Sequence, residues 1–111
     1  MAKTTKTSSR RKSPVKKSAG RKYHELRPYQ EQYVVVDTAS HFIFIGRLQE
    51  ISDHFITLED SDAHDGRESP SINEKYIMDS KKYGVRCNRR RIHIRLEEVI
   101  SISLLEDVID Y

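Results

Sequence analysis

Cysteine, glycine and proline are scarce in this chain of 111 residues, which has one, four and three of them respectively. Because Cys87 is the only cysteine, no disulfide can form within the chain, and an intracellular setting is expected, either cytoplasmic or associated with a nucleoid or nucleus. No apolar segment follows Met1 as in a secretory signal, and no run approaches the ~20 apolar residues of a spanning helix. We therefore predict no membrane partner.

Recognisable catalytic motifs are missing as well. The sequence has no glycine-rich phosphate loop, no paired-carboxylate motif and no His-based arrangement that can be placed beside Cys87, so we predict neither an enzyme nor a cofactor. The acidic stretch Asp60–Glu68 does not match an EF-hand, which needs Gly and Glu where this chain has Asp65 and Ser71. We interpret it as an exposed charged loop and predict no metal site.

Acidic residues are absent from residues 1–22, which hold nine Lys and Arg residues. The rest of the chain has 11 basic and 17 acidic residues, a net charge of −6 that the overall +3 conceals. Residues 1–22 also have hardly any apolar side chains, so burial cannot offset the entropy of ordering them. We therefore predict that they form a disordered tail. Its cations, including Lys12, Lys16 and Lys17, would neutralise phosphates of RNA or another polyanion. The alternative is a solubilising tail or a localisation signal.

Residues 23–111 are predicted to form one mainly β domain. Apolar and β-branched runs between polar turns indicate an antiparallel meander of three strands, at Gln32–Asp37, Phe42–Ile51 and Phe55–Glu59. Gly46 lies in the middle strand, where the missing Cβ allows a sharp bend. The run Phe42–Ile45 has no polar alternation, which indicates that both faces of this strand are covered.

A long insertion at about 61–88 is predicted to contain a helix at about Ser71–Tyr83. Ser71 and Glu74 form a capping-box pair, and Gly84 is the expected C-terminal cap. Ile72, Tyr76 and Ile77 share one face of this helix.

The last part of the chain is predicted to be a second hairpin. Its strands are Arg91–Arg95 and Val99–Leu104, joined by a turn at Glu97-Glu98. Alternation directs Ile92, Ile94, Ile100, Ile102 and Leu104 inward and leaves His93 outward. Val108 and Ile109 are expected to pack a short tail, and Pro28 to open a helical turn before the first strand.

These five strands resemble the Sm/LSm fold, a strongly bent antiparallel small barrel. Gly46-x-Leu48, the turn Ser52–His54 and the strand Phe55–Asp60 resemble its first motif, and Ile92–Arg95 with Val99–Ile102 resembles its second. Generic SH3-like barrels share this pattern. The resemblance covers about Tyr33–Leu104 and implies rings that bind single-stranded, often uridine-rich RNA through the loops after strands two and four.

The residues of these two loops match the family in part. Asp53 and His54 occupy the first loop, where the family usually has an Asn that contacts the base. Arg95 matches the Arg of the second motif, whereas Leu96-Glu97-Glu98 replaces its Gly.

A dense basic patch at 81–91 is the other candidate site. Its cations surround one aromatic side chain, and the members are Lys81, Lys82, Tyr83, Arg86, Arg89, Arg90 and Arg91. They would follow a phosphate backbone while Tyr83 stacks on a base. Alternatively they form a solvated network with the acidic residues nearby, and the helix dipole accounts for Lys81 and Lys82.

Two functions follow. The first is a non-catalytic, nucleic-acid-associated module, with RNA as the favoured partner. The second is a structural module that pairs with copies of itself or with another protein through exposed strand edges.

Overall fold

Five antiparallel strands make up the sheet in the described part of the chain, residues 24–67 and 72–110 of this computed structural model. The strands are β1 (Tyr33–Thr38), β2 (Phe42–Ile51), β3 (Phe55–Asp65), β4 (Arg89–Arg95) and β5 (Val99–Leu104). Helix α1 (Asn73–Tyr83) lies between β3 and β4 in the chain, and short 3-10 helices span His24–Tyr29, Leu96–Glu98 and Leu105–Asp107. The predicted fold class is confirmed: a bent, five-stranded antiparallel small barrel with one helix after the third strand.

The bend of the sheet lies at Gly46, as predicted. The pairing of β2 with β3 shifts register between Ile45 and Arg47, which is the mark of a bulge. A Cβ on Gly46 would stand 2.7 Å from the Cβ of Ser61 and 3.0 Å from that of Leu58. Only glycine allows the two strands to approach so closely here.

Arg47 stabilises the backbone beside this bend. Its guanidinium forms ion pairs with Glu31 at 3.2 Å, Asp60 at 3.1 Å and Glu59 at 3.3 Å. Glu31 and Asp60 have φ of 69° and 50°, which non-glycine residues rarely adopt. The hydrogen bond to Asp60 raises the pKa of Arg47. Its guanidinium is occupied by these three carboxylates.

The apolar core lies on both faces of the sheet. One cluster contains Val34, Val36, Leu48, Ile56, Leu58 and Ile94. The other contains Val35, Ile43, Ile45 and Leu105, and it is covered by Tyr76 and Ile77 of α1 together with Val85 and Val108. Phe44 packs against the first cluster and its neighbours Ile43 and Ile45 against the second, which confirms that both faces of β2 are covered.

The predicted second hairpin is wrong. The sheet order is β4-β3-β2-β1-β5, so β4 pairs with β3 and β5 pairs with β1. The 3-10 turn Leu96–Glu98 carries the chain between two strands that are not hydrogen-bonded neighbours. Short connections favour hairpins, but a sheet this strongly bent brings its two ends close enough for the same connection to cross between them.

The predicted charged loop at Asp60–Glu68 is also wrong in its first half. β3 continues to Asp65, because Ala63, His64 and Asp65 pair with the start of β2. Asp62 is consequently buried, with 8% of its surface exposed. β4 likewise begins two residues earlier than predicted, since Ser61 of the longer β3 pairs with Arg89.

Several apolar side chains differ from their predicted positions. Ile100 is 70% exposed although Ile102 and Leu104 of the same strand pack inward. The pairing of β5 with β1 shifts register here, because Ser101 pairs with Asp37 and Val99 with Thr38, which breaks the alternation at Ile100. Ile72 and Ile109 are both 67% exposed, while Tyr76, Ile77 and Val108 pack as predicted.

The predicted helix and its caps are partly tested. α1 begins at Asn73, and Ser71 lies outside the described residues. Gly84 ends the helix at φ 99°, and its N–H donates to the carbonyl of Ser80, as expected of a C-terminal cap. Pro28 lies inside the first 3-10 helix and does not open a turn.

Among the described residues no helix has the length and apolar character needed to cross a membrane. The predicted tail at 1–22, with Lys12, Lys16 and Lys17, lies outside the described part of the chain.

Candidate nucleic-acid interface

The two candidate sites lie at opposite ends of β3. The turn Ser52–His54 precedes this strand, and Arg95 pairs with its first residue, Phe55. Arg89 and Asn88 lie beside its second half, near Ser61 and Ala63. We call the first region the turn end, and the second, between α1 and the last part of β3, the insertion cleft.

The turn end brings together the three residues predicted from the family resemblance. The N–H of Leu96 donates to the carbonyl of His54 at 2.8 Å, which joins the two loops that contain Asp53, His54 and Arg95. An open cavity of about 940 Å³ lies there, between these loops, β5 and the first 3-10 helix.

The polar groups around this cavity are mainly acidic. Three carboxylates line it, those of Glu25, Asp53 and Glu97, whereas Arg95 is its one arginine and forms an ion pair with Glu97. The remaining lining includes the apolar side chains Leu26, Tyr29, Phe55, Leu96, Val99, Ile100 and Ile102. A phosphate placed here would meet negative charge and apolar surface.

Among the described residues, some cations of the basic patch at 81–91 have partners and others do not. Lys81 donates to the carbonyl of Val108, and Lys82 pairs with Asp110 at 3.1 Å, which raises the pKa of Lys82. Arg91 donates two hydrogen bonds to Glu59, the shorter at 2.7 Å. Lys82 and Arg91 thus pair with acidic side chains, as in the predicted network, whereas Lys81 bonds to a backbone carbonyl.

Arg86, Arg89 and Arg90 form no ion pair with any residue within 24–67 and 72–110. The guanidinium of Arg89 donates to the neighbouring carbonyl of Asn88, at 3.0 Å. Tyr83, the last residue of α1, is 81% exposed. Tyr83, Arg86 and Arg89 line the same open cleft of about 1050 Å³, so an aromatic ring and two available guanidinium groups share one surface.

Asn88 holds the basic segment against the sheet. Its Oδ1 accepts from the N–H of Ala63 at 3.0 Å, its Nδ2 donates to the carbonyl of Ala63 at 3.2 Å, and its own N–H donates to Ser61. These bonds continue the β3–β4 pairing by one residue and fix the positions of Cys87 and Arg89. Sequence reasoning missed this role, because β3 was predicted to end before Ser61.

Asp62 and Tyr76 join α1 to the sheet beneath the cleft. The hydroxyl of Tyr76 donates to Oδ2 of Asp62 at 2.8 Å, and its ring stacks on His64 with centroids 3.8 Å apart. Burial, followed by the bond to Asp62, raises the pKa of Tyr76. One signal in the sequence pointed to the burial of Asp62. The second strand was predicted to have ten residues and its partner only five, so the partner had to continue past Glu59 for the whole second strand to be paired.

Chemically reactive groups do not assemble in the described regions. No three His, Cys, Asp or Glu side chains there converge to hold a metal ion. Cys87 is exposed, and its thiol donates a long hydrogen bond to the carbonyl of Val85, at 3.8 Å.

Comparison with known proteins gives a structural match. No protein-family model matches the sequence, and a search of curated proteins finds no significant match. The solved structure of an Sm protein from Pyrococcus abyssii, in complex with a uridine heptamer, is similar over 73% of this chain and 93% of that chain, with 22% identity and a TM-score of 0.51. The chain has the Sm-like fold that its motifs predicted.

Proposed function

We propose that this protein is a non-catalytic Sm-like module that binds single-stranded RNA through its insertion cleft. The observation that supports the site is the exposed ring of Tyr83 beside Arg86 and Arg89, neither of which has a carboxylate partner among the described residues. The similar Pyrococcus abyssii protein was solved with a uridine heptamer, which supports RNA as the ligand class.

An aromatic ring flanked by guanidinium groups suits single-stranded nucleic acid. A base stacks on the ring with a gain of about 1–3 kcal/mol, while the cations neutralise the backbone phosphates. Arg90 on β4 would extend the positive surface, and the cations at 1–22, including Lys12, Lys16 and Lys17, would add contacts that do not depend on sequence. Lys81, Lys82 and Arg91 would contribute less, because each already has a partner.

The turn end supports RNA binding less well than the insertion cleft does. Three carboxylates line each site, but the cleft has two arginines without an ion-pair partner among the described residues, and the turn end has none. Its single arginine is paired with Glu97, and the carboxylates of Glu25 and Asp53 lie beside it. Bringing a phosphate there would require separating Arg95 from its partner and would place like charges together.

Titration of a labelled single-stranded RNA with the full chain tests both the ligand and the surface. Tyr83→Ala should weaken binding about tenfold, because a stacking contact is lost from an exposed position where folding is unaffected. Arg86→Gln with Arg89→Gln should weaken binding and reduce its salt dependence. Arg95→Gln is the matched control at the turn end and should leave affinity within about twofold.

Two results would contradict this proposal. Absence of binding by the wild-type chain at roughly 50 mM salt, where phosphate contacts are strong, would remove RNA as the ligand. A larger loss for Arg95→Gln than for Tyr83→Ala would move the site to the turn end.

Self-association through the sheet edges is the second candidate function. β4 and β5 are the two edges of the sheet, and Ile100 on β5 is 70% exposed. β4 carries Arg89, Arg90, Arg91 and Arg95, whereas Glu97, Glu98, Glu106 and Asp107 flank β5. A basic edge and an edge with acidic flanks are complementary, so β4 of one copy would pair with β5 of the next.

Light scattering of wild type and Ile100→Lys tests this assembly. A charge on the β5 edge should shift the protein to a monomer, whereas Ile109→Lys, at a similarly exposed isoleucine away from the edge, should leave the mass unchanged. A wild-type chain that is monomeric at all concentrations would rule the assembly out.

A further inference from the structure

Besides Tyr83, Arg86 and Arg89, the polar residues Asp62, His64, Tyr76, Asp79, Ser80 and Asn88 line the insertion cleft, and we call these six its floor. Three side-chain donors of this floor are already used within the protein. The Tyr76 hydroxyl donates to Asp62, and that of Ser80 donates to the carbonyl of Tyr76 at 3.1 Å. The side-chain amide of Asn88 donates to the carbonyl of Ala63. A ligand that passes Arg86 and Arg89 and enters the cleft is therefore met by few free hydrogen-bond donors on the floor of the cleft.

The remaining hydrogen-bonding capacity of the floor belongs mainly to carboxylate oxygens. Asp62 is 92% buried, given its 8% exposure, and its Oδ1 accepts no hydrogen bond from a described residue. Asp79 also lines the cleft, and Lys75 contacts only its Oδ2. In addition, Nε2 of His64 is buried without a partner among the described residues. Of these atoms, Nε2 of His64 is the fully buried one, whereas the free oxygens of Asp62 and Asp79 keep some exposed surface in the cleft. A ligand with hydrogen-bond donors would therefore reach acceptors that the described residues leave unused.

The four bases differ in what they offer to such a floor. Guanine presents two adjacent donors on its Watson–Crick edge, N1–H and the N2 amine, and these match the two oxygens of a carboxylate. Uracil presents a single donor between two carbonyl oxygens, which a carboxylate would repel. Adenine and cytosine each offer an amine beside an acceptor nitrogen, so they match one oxygen only.

We propose that the insertion cleft selects guanine, with its N1–H and N2 donors on Asp62, its ring against Tyr83 and its phosphates on Arg86 and Arg89. The inference rests on the proposed function, because it requires RNA to enter this cleft. The inference adds a preference for one base, which depends on the side chains of this cleft and not on the Sm-like fold.

Single-base replacement in a uridine oligomer tests this preference. We would measure binding of the full chain to labelled nine-residue RNAs that are all uridine, or carry one central guanosine or inosine. Guanosine should bind about tenfold more tightly than uridine, since a good bidentate contact discriminates by this order. Inosine, which lacks the N2 amine, should fall between them.

The substitution Asp62→Asn tests whether Asp62 is the side chain that selects guanine. The amide oxygen can still accept from Tyr76, so the fold is retained, but the two-oxygen acceptor is lost and the guanosine preference should fall to within about twofold. Asp53→Asn makes the same change at the turn end and should keep the preference. A thermal melt of each variant checks folding, and the inosine series tests the inference even if Asp62→Asn is unstable.

The outcomes separate this inference from the proposed function. Binding that is sensitive to Tyr83→Ala but equal for guanosine, inosine and uridine would overturn the base preference alone. A preference that survives Asp62→Asn, or is lost in Asp53→Asn, would overturn the assignment to this cleft. Failure of every RNA to bind would overturn both proposals.

Discussion

Close packing between single residues of β2 and β3 sets the shape of this barrel. The α-carbon of Gly46 faces the buried side chains of Ser61 and Leu58, and the register of the two strands shifts at the same point. Arg47, the next residue, holds Asp60 and Glu31 in their unusual backbone conformations. The bend therefore depends on one missing side chain and one charged side chain that follows it.

Gly46→Ala should lower the free energy of unfolding by about 1–3 kcal/mol, because the added methyl would lie 2.7 Å from the Cβ of Ser61 and the backbone must move. Thermal denaturation should show a Tm lower by roughly 5 °C or more. A double-mutant cycle with Ser61→Gly should show that the two changes compensate in part. An unchanged Tm in the single variant would mean that the strands tolerate a wider separation.

At the scale of elements, α1 is attached to the sheet by a small number of contacts. Tyr76 and Ile77 pack on the second core cluster, and Lys81 and Lys82 bind the segment that follows the last 3-10 helix. Since Tyr83 and one wall of the insertion cleft belong to this helix, its attachment determines whether the cleft keeps its shape.

Tyr76→Phe should destabilise this attachment by about 1–2 kcal/mol, because buried Asp62 loses the hydrogen bond of 2.8 Å. The pKa of Tyr76 is raised by burial, so the folded protein holds this proton more tightly than the unfolded chain does. The stability it contributes is fully present below the ordinary tyrosine pKa of about 10 and declines as the pH rises above it.

Denaturant unfolding at pH 8 and pH 11 would check this expectation. Wild type should lose stability between the two values, and Tyr76→Phe, which lacks the phenol, should lose less. Equal losses for the two proteins would show that other groups cause the alkaline decline. Tyr83→Phe is the matched control, because Tyr83 is 81% exposed and makes no buried hydrogen bond.

At the scale of the whole molecule, two oppositely charged parts share one chain. Residues 1–22 carry nine cations, and the remainder has a net charge of −6. In the RNA-binding function proposed above, the tail would raise affinity for any polyanion, and the insertion cleft would supply the discrimination between bases.

A truncated chain that begins at Tyr23 should bind RNA more weakly and with a shallower salt dependence than the full chain. Each phosphate contact that the tail makes contributes about 0.7 to the slope of log K against log salt for single strands. Tyr83→Ala should reduce affinity by the same factor in both lengths. Equal slopes for the two lengths would show that the tail makes no phosphate contact.

Much of this fold could be predicted because the deciding signals are local. An apolar run between polar turns placed β2 at its observed bounds, and alternation placed β5. Gly46 marked the bend, and Gly84 marked the end of α1. Such signals act within a few residues, where backbone sterics and the burial of alternate side chains determine the conformation.

The remaining features were decided by contacts between distant residues. β5 pairs with β1 rather than with β4 because the bent sheet brings its edges together, and Asp62 is buried because the first half of β2 needs a partner. Within one basic run, Arg91 pairs with Glu59, while Arg86 and Arg89 have no ion-pair partner in the described part of the chain. Charge and composition are properties of the sequence alone, but which charges remain available to a ligand depends on which side chains the folded chain places within reach of one another.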